Sequence, residues 1–372
     1  MTGTVRHFRR RRLSREEGEQ YAQRVLLTPT SERLEKAHAL HLDDPEMLLS
    51  LLGVLQKVCE ETPKDALEEA TFLYRYLENL KVRYPADPIL HDEREWYLGE
   101  AARVAGTAAR FLARRDEARE WFDLSEAWFL ATENSASNVA RVTYQRLALR
   151  TEDRDFLGVM KLLPHLIANF ERMSMTHDAL KGRFLQAAIL KELNRLPEAV
   201  EAYGEVINEA EEIKNERILG TAYVNLALTH CALGNADEAA TLVAKSTPLL
   251  VRAKNNVTLA KLQWTVGFLL RSKGNFPAAI EAYGSAQRQF AAIDMHADVA
   301  AVHLVLADLL LDAGQAAQAE WEIRSAFPII EEYKLVPEGV AALSLLRESV
   351  RRRQIDRQAL RALHGYFEKL RG

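Results

Sequence analysis

The chain has 372 residues, of which 48% are hydrophobic and 27% charged, with a formal net charge of −4. That length suits two ordinary domains or one elongated array, and the composition is that of a folded protein rather than a disordered one. A near-neutral balance gives no global field for nucleic acid, and two distant cysteines, Cys59 and Cys231, without a CxxC pattern argue against a disulfide framework or zinc site and suit a reducing cytoplasm.

From the N terminus, MTGTVRHFRRRRLSREEG lacks the apolar core of a signal peptide, and no run of about 18 apolar residues predicts a membrane span. Residues 1–13 read as a basic flexible tail. The Arg9–Arg12 run is short and only Phe8 accompanies it, so a solvated terminus fits better than a nucleic-acid contact, and no direct nucleic-acid partner is expected. Ser14-x-x-Glu17 is a capping box that opens a helix through Leu27. Asp44 before Pro45 opens another in LDDPEMLLSLLGVLQKV, and PKDALEEATFLYRYLENLKVRYP follows. Residues 14–90 therefore read as a helical bundle of about four helices, either separate or made of degenerate repeats. Inside it, His38 and His41 lie near Asp43 and Asp44. Two ligands without a clear third make a poor metal site, and histidines suit the negative end of a helix, so no metal is predicted.

Further along, an alanine recurs after a turn in ELNRLPEAVEAYGEV, CALGNADEAATLVAK, SKGNFPAAIEAYGSA and DAGQAAQAEWEIRSA. It falls at Ala199, Ala239, Ala279 and Ala319, 40 residues apart each time. Five residues earlier stand Asn194, Gly234, Gly274 and Gly314, residue types that accept the left-handed conformation of a helix C-cap. Four residues later come Tyr203, Val243, Tyr283 and Ile323, one turn along the second helix. Twelve residues earlier, Ala187, Ala227, Gly267 and Ala307 let two antiparallel helices approach. Run backwards, the same ruler places Ala118 as the key alanine with Gly106 and Phe122 in the partner slots. Between these units it lands on Gly158, with Arg146 in the small-residue slot, which marks a degenerate unit.

The small residue, glycine turn, key alanine and aromatic of GFLLRSKGNFPAAIEAYGSA resemble the tetratricopeptide repeat (TPR) over residues 95–335. The family's standard repeat has about 34 residues; the excess here lengthens the helices. The resemblance implies an all-α, right-handed superhelix of antiparallel helix pairs, and the long repeats are similar to those of bacterial TPR regulators and adaptors. About six pairs fill residues 91–335, and residues 336–372 carry two further helical patterns that would cap the array, with Arg351–Arg353 and Lys369–Arg371 on the solvent side.

The resemblance also implies that the first helix of each pair lines a concave groove. Carried over by register, position 12 of the repeats reads Arg110, Arg150, Lys191, Cys231, Arg271 and Leu311. Position 2 gives Glu100, Ala140, Lys181, Thr221, Lys261 and Ala301. Position 5 gives Arg103, Thr143, Phe184, Val224, Trp264 and Leu304, and position 9 adds Leu228, Phe268 and Asp308. Cations beside aromatics suit a protein or peptide segment bearing Asp, Glu or a C-terminal carboxylate, while chance alone also leaves some columns basic. Asn225 joins the candidate groove contacts; it is the one asparagine near a carboxylate-clamp position and falls at position 6, so the family's known clamp is not implied.

No phosphate-loop, dinucleotide, nucleophile-elbow or zinc-protease motif occurs. Asp308 and Asp312 share a helix face, but two exposed carboxylates on a repeat surface are the better reading than an acid–base pair. Cys231, at a helix C-terminal end, reads as a structural thiol, and the stripe Trp121, Phe122, Trp128, Phe129 reads as core rather than a ligand box. The expectation is a non-enzymatic cytoplasmic scaffold or regulatory adaptor, without cofactor or membrane contact, that binds a peptide or protein segment in a partly basic groove. The alternative is a peptide or small-ligand sensor whose curvature controls a partner such as a transcription factor.

Overall fold

In the computed structural model, α1 (Arg15–Leu27), α2 (Thr30–Arg33), α3 (Pro45–Glu61) and α4 (Pro63–Arg83) lead into α5 (Pro88–Phe111) and α6 (Arg115–Leu130). The array continues as α7 (Ala136–Glu152), α8 (Phe156–Arg172), α9 (Thr176–Glu192), α10 (Leu196–Glu212), α11 (Glu216–Leu233) and α12 (Ala236–Arg252). Next come α13 (Asn256–Ser272), α14 (Phe276–Ala292), α15 (His296–Asp312) and α16 (Ala316–Glu331), and α17 (Arg357–Arg371) closes the chain. The structure describes residues 13–33, 35–36, 39–40, 42, 44–83, 88–133, 135–332, 343–344, 346–347, 350 and 354–371. Arg9–Arg12, His38, His41, Asp43 and Arg351–Arg353, and the side chains of Lys369–Arg371, lie outside the description. Among the described residues there is no strand.

Local chemistry sets the helix ends. Ser14 and Glu17 form the reciprocal capping box, and the Asp44 carboxylate accepts from the backbone N–H groups of Glu46 and Met47. In the array, α7, α8, α9, α10, α12, α13, α14 and α15 are each 17 residues long. Three-residue turns join most of them. At Leu193–Asn194–Arg195 the Arg195 N–H donates to Leu190 O at 2.9 Å and the Asn194 N–H to Lys191 O at 2.9 Å, a Schellman closure with Asn194 at φ 59°. The same left-handed residue ends first helices at Gly234, Gly274 and Gly314. It also ends second helices at Ser174, Lys214, Lys254 and Asp294, which have side chains. A repeat of 40 is thus two half-repeats of 17 helical residues and three turn residues.

Packing explains the repeated slots. Ala118, Ala199, Ala239, Ala279 and Ala319 are fully buried, as are Phe122, Tyr203, Tyr283 and Ile323. A Cβ on Gly106 would lie 2.6 Å from the Phe122 ring, and one on Gly267 would lie 2.9 Å from the Tyr283 ring. Those glycines admit the large ring that staples the two helices of the pair. The Tyr203 hydroxyl is buried without a hydrogen-bond partner, and burial pushes its pKa up. Tyr203→Phe is therefore expected to stabilise the fold by about 1 kcal/mol. A chemical-denaturation midpoint below that of the wild type would refute this.

One unit departs from the register read in the sequence. The key slot, fourth in the second helix, belongs to buried Val159, while Gly158 donates its N–H to the capping carboxylate of Asp155 at 3.0 Å. The cause is the connection from α6 to α7: residues 131–135 make it five residues long, against three in most of the array. Buried Leu147, not Arg146, fills the small-residue slot. Groove positions 5 and 12 of this unit are consequently Tyr144 and Thr151 rather than Thr143 and Arg150.

Contacts run between neighbours and between first helices: α5 with α7, α7 with α9, α9 with α11, and α11 with α13. First helices make the inner layer and second helices the outer one. Residues of α1, α3, α4, α5 and α6 share one buried cluster with Val142 and Leu149 of α7, so the N-terminal helices continue the stack. The aromatic stripe belongs to this core. Phe122 and Phe129 are fully buried, Trp121 meets Tyr74 edge-on at 5.2 Å, and Trp128 Nε1 donates to Tyr74 Oη at 3.0 Å.

Candidate functional site

The inner layer encloses a cavity of about 400 Å³, lined by residues of α3, α5, α7, α9, α11, α13 and α15 and the turns beside them. Its closure on one side comes from the α3–α4 corner. Glu60 accepts from Arg217 Nη1 and from Asn255 Nδ2, each at 2.7 Å. Asn256 Nδ2 donates to Glu61 O at 3.1 Å, and Lys64 Nζ lies 3.3 Å from Asp294 Oδ1. Residues far apart in sequence thereby complete one wall.

Predicted groove residues that reach this cavity are Arg103, Arg110, Lys181, Phe184, Lys191, Thr221, Val224, Asn225, Leu228 and Lys261. Their charges are largely held by carboxylates of the same chain. Arg103 donates to Glu100 Oε2 at 2.9 and 2.6 Å, both residues being buried, and Arg110 pairs with Glu152. Lys181 lies 3.0 Å from Asp178, which also accepts from Arg141 at 3.0 Å, and Lys191 lies 2.9 Å from Glu192. Burial pushes the Glu152 carboxyl up against the opposing pull of Arg110, Arg115 and Lys261. Asp178 goes the other way: despite its burial, Lys181 and Arg141 hold it below the usual range. Phe184 sits edge-on to Tyr203 at 5.9 Å, and Asn225 Nδ2 donates to Thr221 O at 3.0 Å.

The wall carries six cations, Arg103, Arg110, Lys181, Lys191, Arg217 and Lys261, and four carboxylates, Glu60, Glu152, Glu192 and Asp298. It is a mosaic of both signs with apolar patches at Val104, Phe111, Leu185, Leu228 and Val257. The sequence reading missed Glu60, Tyr144, Gln145, Thr151, Glu152, Arg217, Asn255 and Asp298. Asn215 and Asn255 had a visible signal, since Lys-Asn precedes both α11 and α13 forty residues apart. Glu60 had none, because its place depends on how the N-terminal helices fold back.

Arg150, Phe268, Trp264 and Arg271 are among the predicted groove residues that lie elsewhere. Arg150 pairs with Asp155 because of the one-residue shift in its unit. Phe268 is 40% exposed, away from the cavity wall. Trp264 is covered by its own chain: Tyr283 meets it edge-on at 5.4 Å and His364 of α17 stacks on it at 5.8 Å, 13° from parallel. Arg271 binds Asp308 Oδ2 at 2.7 Å and Asp312 Oδ2 at 2.6 Å.

Of those two aspartates, expected from the sequence as an exposed surface pair, Asp312 is exposed and Asp308 is not. Asp308 is only 7% exposed, and Arg357 and Arg361 of α17 reach it at 3.0 and 3.2 Å. Burial raises both carboxyls, yet the guanidinium groups of Arg271 and Arg357 (and of Arg361 for Asp308) hold them below the ordinary range. A depressed carboxylate stabilises above its unfolded pKa, near 3.9, and that stabilisation is lost as pH falls through the folded value. Acidification from about pH 5 to pH 3 is therefore expected to loosen α17, read as faster amide exchange at residues 357–367. Unchanged exchange across that window would contradict the assignment. Cys231 is buried, and burial pushes its thiol up against the pull of Lys273.

Similar folds occur among solved structures. A Rap protein complexed with competence and sporulation factor has a TM-score of 0.53 and 14% identity, over 96% of this chain and 99% of that one. The Rap conjugation gene regulator of plasmid pLS20, in complex with a Phr peptide, has a TM-score of 0.57 and 13% identity, over 86% and 94%. Aspartyl phosphate phosphatase F from Bacillus subtilis has a TM-score of 0.52 and 13% identity, over 100% and 96%. No protein-family model and no curated protein sequence matches the chain. Among the described residues no helix is long and apolar enough to cross a membrane. The helix order, the paired packing and these likenesses make the chain an all-α, TPR-like α-solenoid that resembles bacterial helical-repeat regulators.

Proposed function

We propose that the chain is a regulatory adaptor that binds a short peptide in the cavity between α3 and the inner helices. The observation that carries this is the convergence of seven helices on one cavity with a mosaic wall. A volume of 400 Å³ falls within the range of small-ligand pockets, about 300–1,000 Å³, and favours a short peptide over a long protein segment. Cations fixed by intramolecular carboxylates are pre-oriented for charge-assisted hydrogen bonds to an acidic side chain or terminal carboxylate. Phe184 and Leu228 offer apolar anchors, and the buried Arg110 Nε and Gln145 Oε1, which lack hydrogen-bond partners, match the acceptor and donor of a peptide unit. Two solved neighbours carry a bound factor or peptide in their names, which supports the same reading.

Binding rather than catalysis is the proposed mode, even though one neighbour is named a phosphatase. Burial pushes the Cys59 thiol and the Tyr144 phenol each up to about 12, so at neutral pH neither supplies an anionic nucleophile or base. A peptide lying between Glu60 and the inner helices would shift the α3–α4 corner, and so the curvature of the array, which is how occupancy would reach a partner. Residues 14–90 would then act as the moving wall, residues 91–335 as the recognition array and residues 336–372 as its cap. The free thiols of Cys59 and Cys231 suit the cytoplasm.

The test is native mass spectrometry of the full chain with a random hexapeptide library, repeated with Ala188→Trp to fill the cavity. Retention by the wild type and loss by the folded Trp variant is the expected result. No retained peptide, or equal retention by both proteins, would end this reading.

A further inference from the structure

Helix α17 is set apart from the other helices by where it lies. The repeat register assigns Trp264, Arg271 and Asp308 to the concave groove. All three lie at the contact with α17: His364 stacks on Trp264, and Arg357 and Arg361 join Arg271 on the carboxylates of Asp308 and Asp312. Leu360, Leu363 and Phe367 are fully buried in the same cluster as Val302, Leu306 and Leu309 of α15. The helix reaches further than its neighbour. It also touches α7, and Phe111 at the end of α5 packs against the cluster that holds it. One short helix thus spans the mouth of the superhelix, from its last pair back to its first ones.

We propose that the concave face holds two separate sites. The cavity is one; the other is a helix-binding site on α13 and α15 that is filled by α17 of the same chain. The ligand class of this second site is an amphipathic helix with arginines four residues apart and apolar residues between them. Three observations specify it. Asp308 and Asp312 sit four apart on one face; Arg357 donates to both, and Arg361, four residues further on, donates to Asp308. Trp264 offers a flat ring to a planar side chain one turn further on. The buried leucines fall between these polar contacts.

In this arrangement α17 is a built-in ligand that straps α15 to α7. While it is seated, the inner layer keeps its curvature and the cavity its closed form. Its release lets the ends of the array separate. Regulation of the cavity by this strap rests on the peptide-binding reading above; the helix site itself does not.

The experiment uses the full chain, Arg357→Glu/Arg361→Glu in that chain, and a fluorescent synthetic peptide of residues 354–372. Hydrogen exchange is followed on every helix from α5 to α17, and binding of the labelled peptide is measured by anisotropy. In the variant, exchange of α17 is expected to rise at least tenfold, with α9–α12 unchanged. The variant should bind the labelled peptide at least tenfold more tightly than the wild type, whose site is filled in cis. An α17 that stays equally protected, with no gain in peptide uptake, would overturn the proposal. So would loss of protection throughout α5–α16, which would make α17 part of the core. Leu360→Ala/Leu363→Ala, which keeps the charges, must give the same direction. A hexapeptide ligand found as described above should then bind wild type and strap variant with different affinities. If no hexapeptide binds either protein while the labelled helix behaves as expected, the cavity reading fails and the helix site stands.

Discussion

Tyr283→Ala is expected to cost about 3–5 kcal/mol, the largest loss from any single substitution in the second half of the array. The ring is fully buried, meets Trp264 edge-on at 5.4 Å and fills the space that Gly267 leaves open. Removing it takes away the ring's own transfer energy, leaves a cavity between α13 and α14, and removes an aromatic contact of about 0.5–1.5 kcal/mol. Because a repeat array opens in parts, the effect should be read locally, as amide exchange over α13–α15, beside the global urea midpoint. The partner substitution sharpens the test. Gly267→Ala alone should destabilise, since its Cβ would sit 2.9 Å from the ring. Combined with Tyr283→Ala, it should cost less than the sum of the two, because the methyl group enters the vacated space. Strict additivity would show that the glycine and the ring do not share one packing slot.

Arg110→Ala should cost a similar amount, about 3–5 kcal/mol, through a different cause. The guanidinium and the Glu152 carboxylate pair at the cavity wall with side-chain exposures of 15% and 10%. Deleting the cation strands a buried carboxylate, whose pKa burial already raises. A carboxyl with a raised folded pKa loses stability as pH rises from its unfolded value, near 4.3, through the folded one. The Arg110→Ala penalty should therefore be smallest near pH 4 and grow toward pH 8. Glu152→Gln in the same background should recover most of it, since a neutral amide tolerates burial with fewer consequences. A penalty that is flat with pH, or no recovery with glutamine, would assign the loss to packing of the arginine stem. The double change to neutral residues would also show whether the pair matters to a bound peptide apart from the fold.

How far the sequence reached varies by element. The forty-residue spacing of Ala199, Ala239, Ala279 and Ala319, with small residues twelve before and aromatic or β-branched residues four after, is local chemistry repeated, so it was legible without coordinates. The ruler failed at Gly158 because a glycine in the first turn of α8 imitates the small residue of the key slot. The two additional residues of the α6–α7 connection carry no periodic mark. That slip moved Arg150 off the groove and hid Tyr144 and Thr151. The left-handed turn residues Ser174, Lys214, Lys254 and Asp294 were missed for a related reason: their conformation is imposed by helices packed on both sides, and side-chain type gives little warning.

By itself, then, the sequence determined the class of fold, the length of the repeat, the packing slots and the caps, because each depends on contacts within one helix pair. Tertiary structure alone decided what occupies the concave face. Glu60 meets Arg217 and Asn255 across more than 150 residues of chain, and Arg357 meets Asp308 from a helix beyond the last clear repeat. Charges read as a basic column become a mosaic once their partners arrive from other helices, and Trp264, which the repeat register places in the groove, is covered by His364. Which cation faces which carboxylate depends on the curvature accumulated over successive pairs, and a pattern confined to one pair carries no record of it.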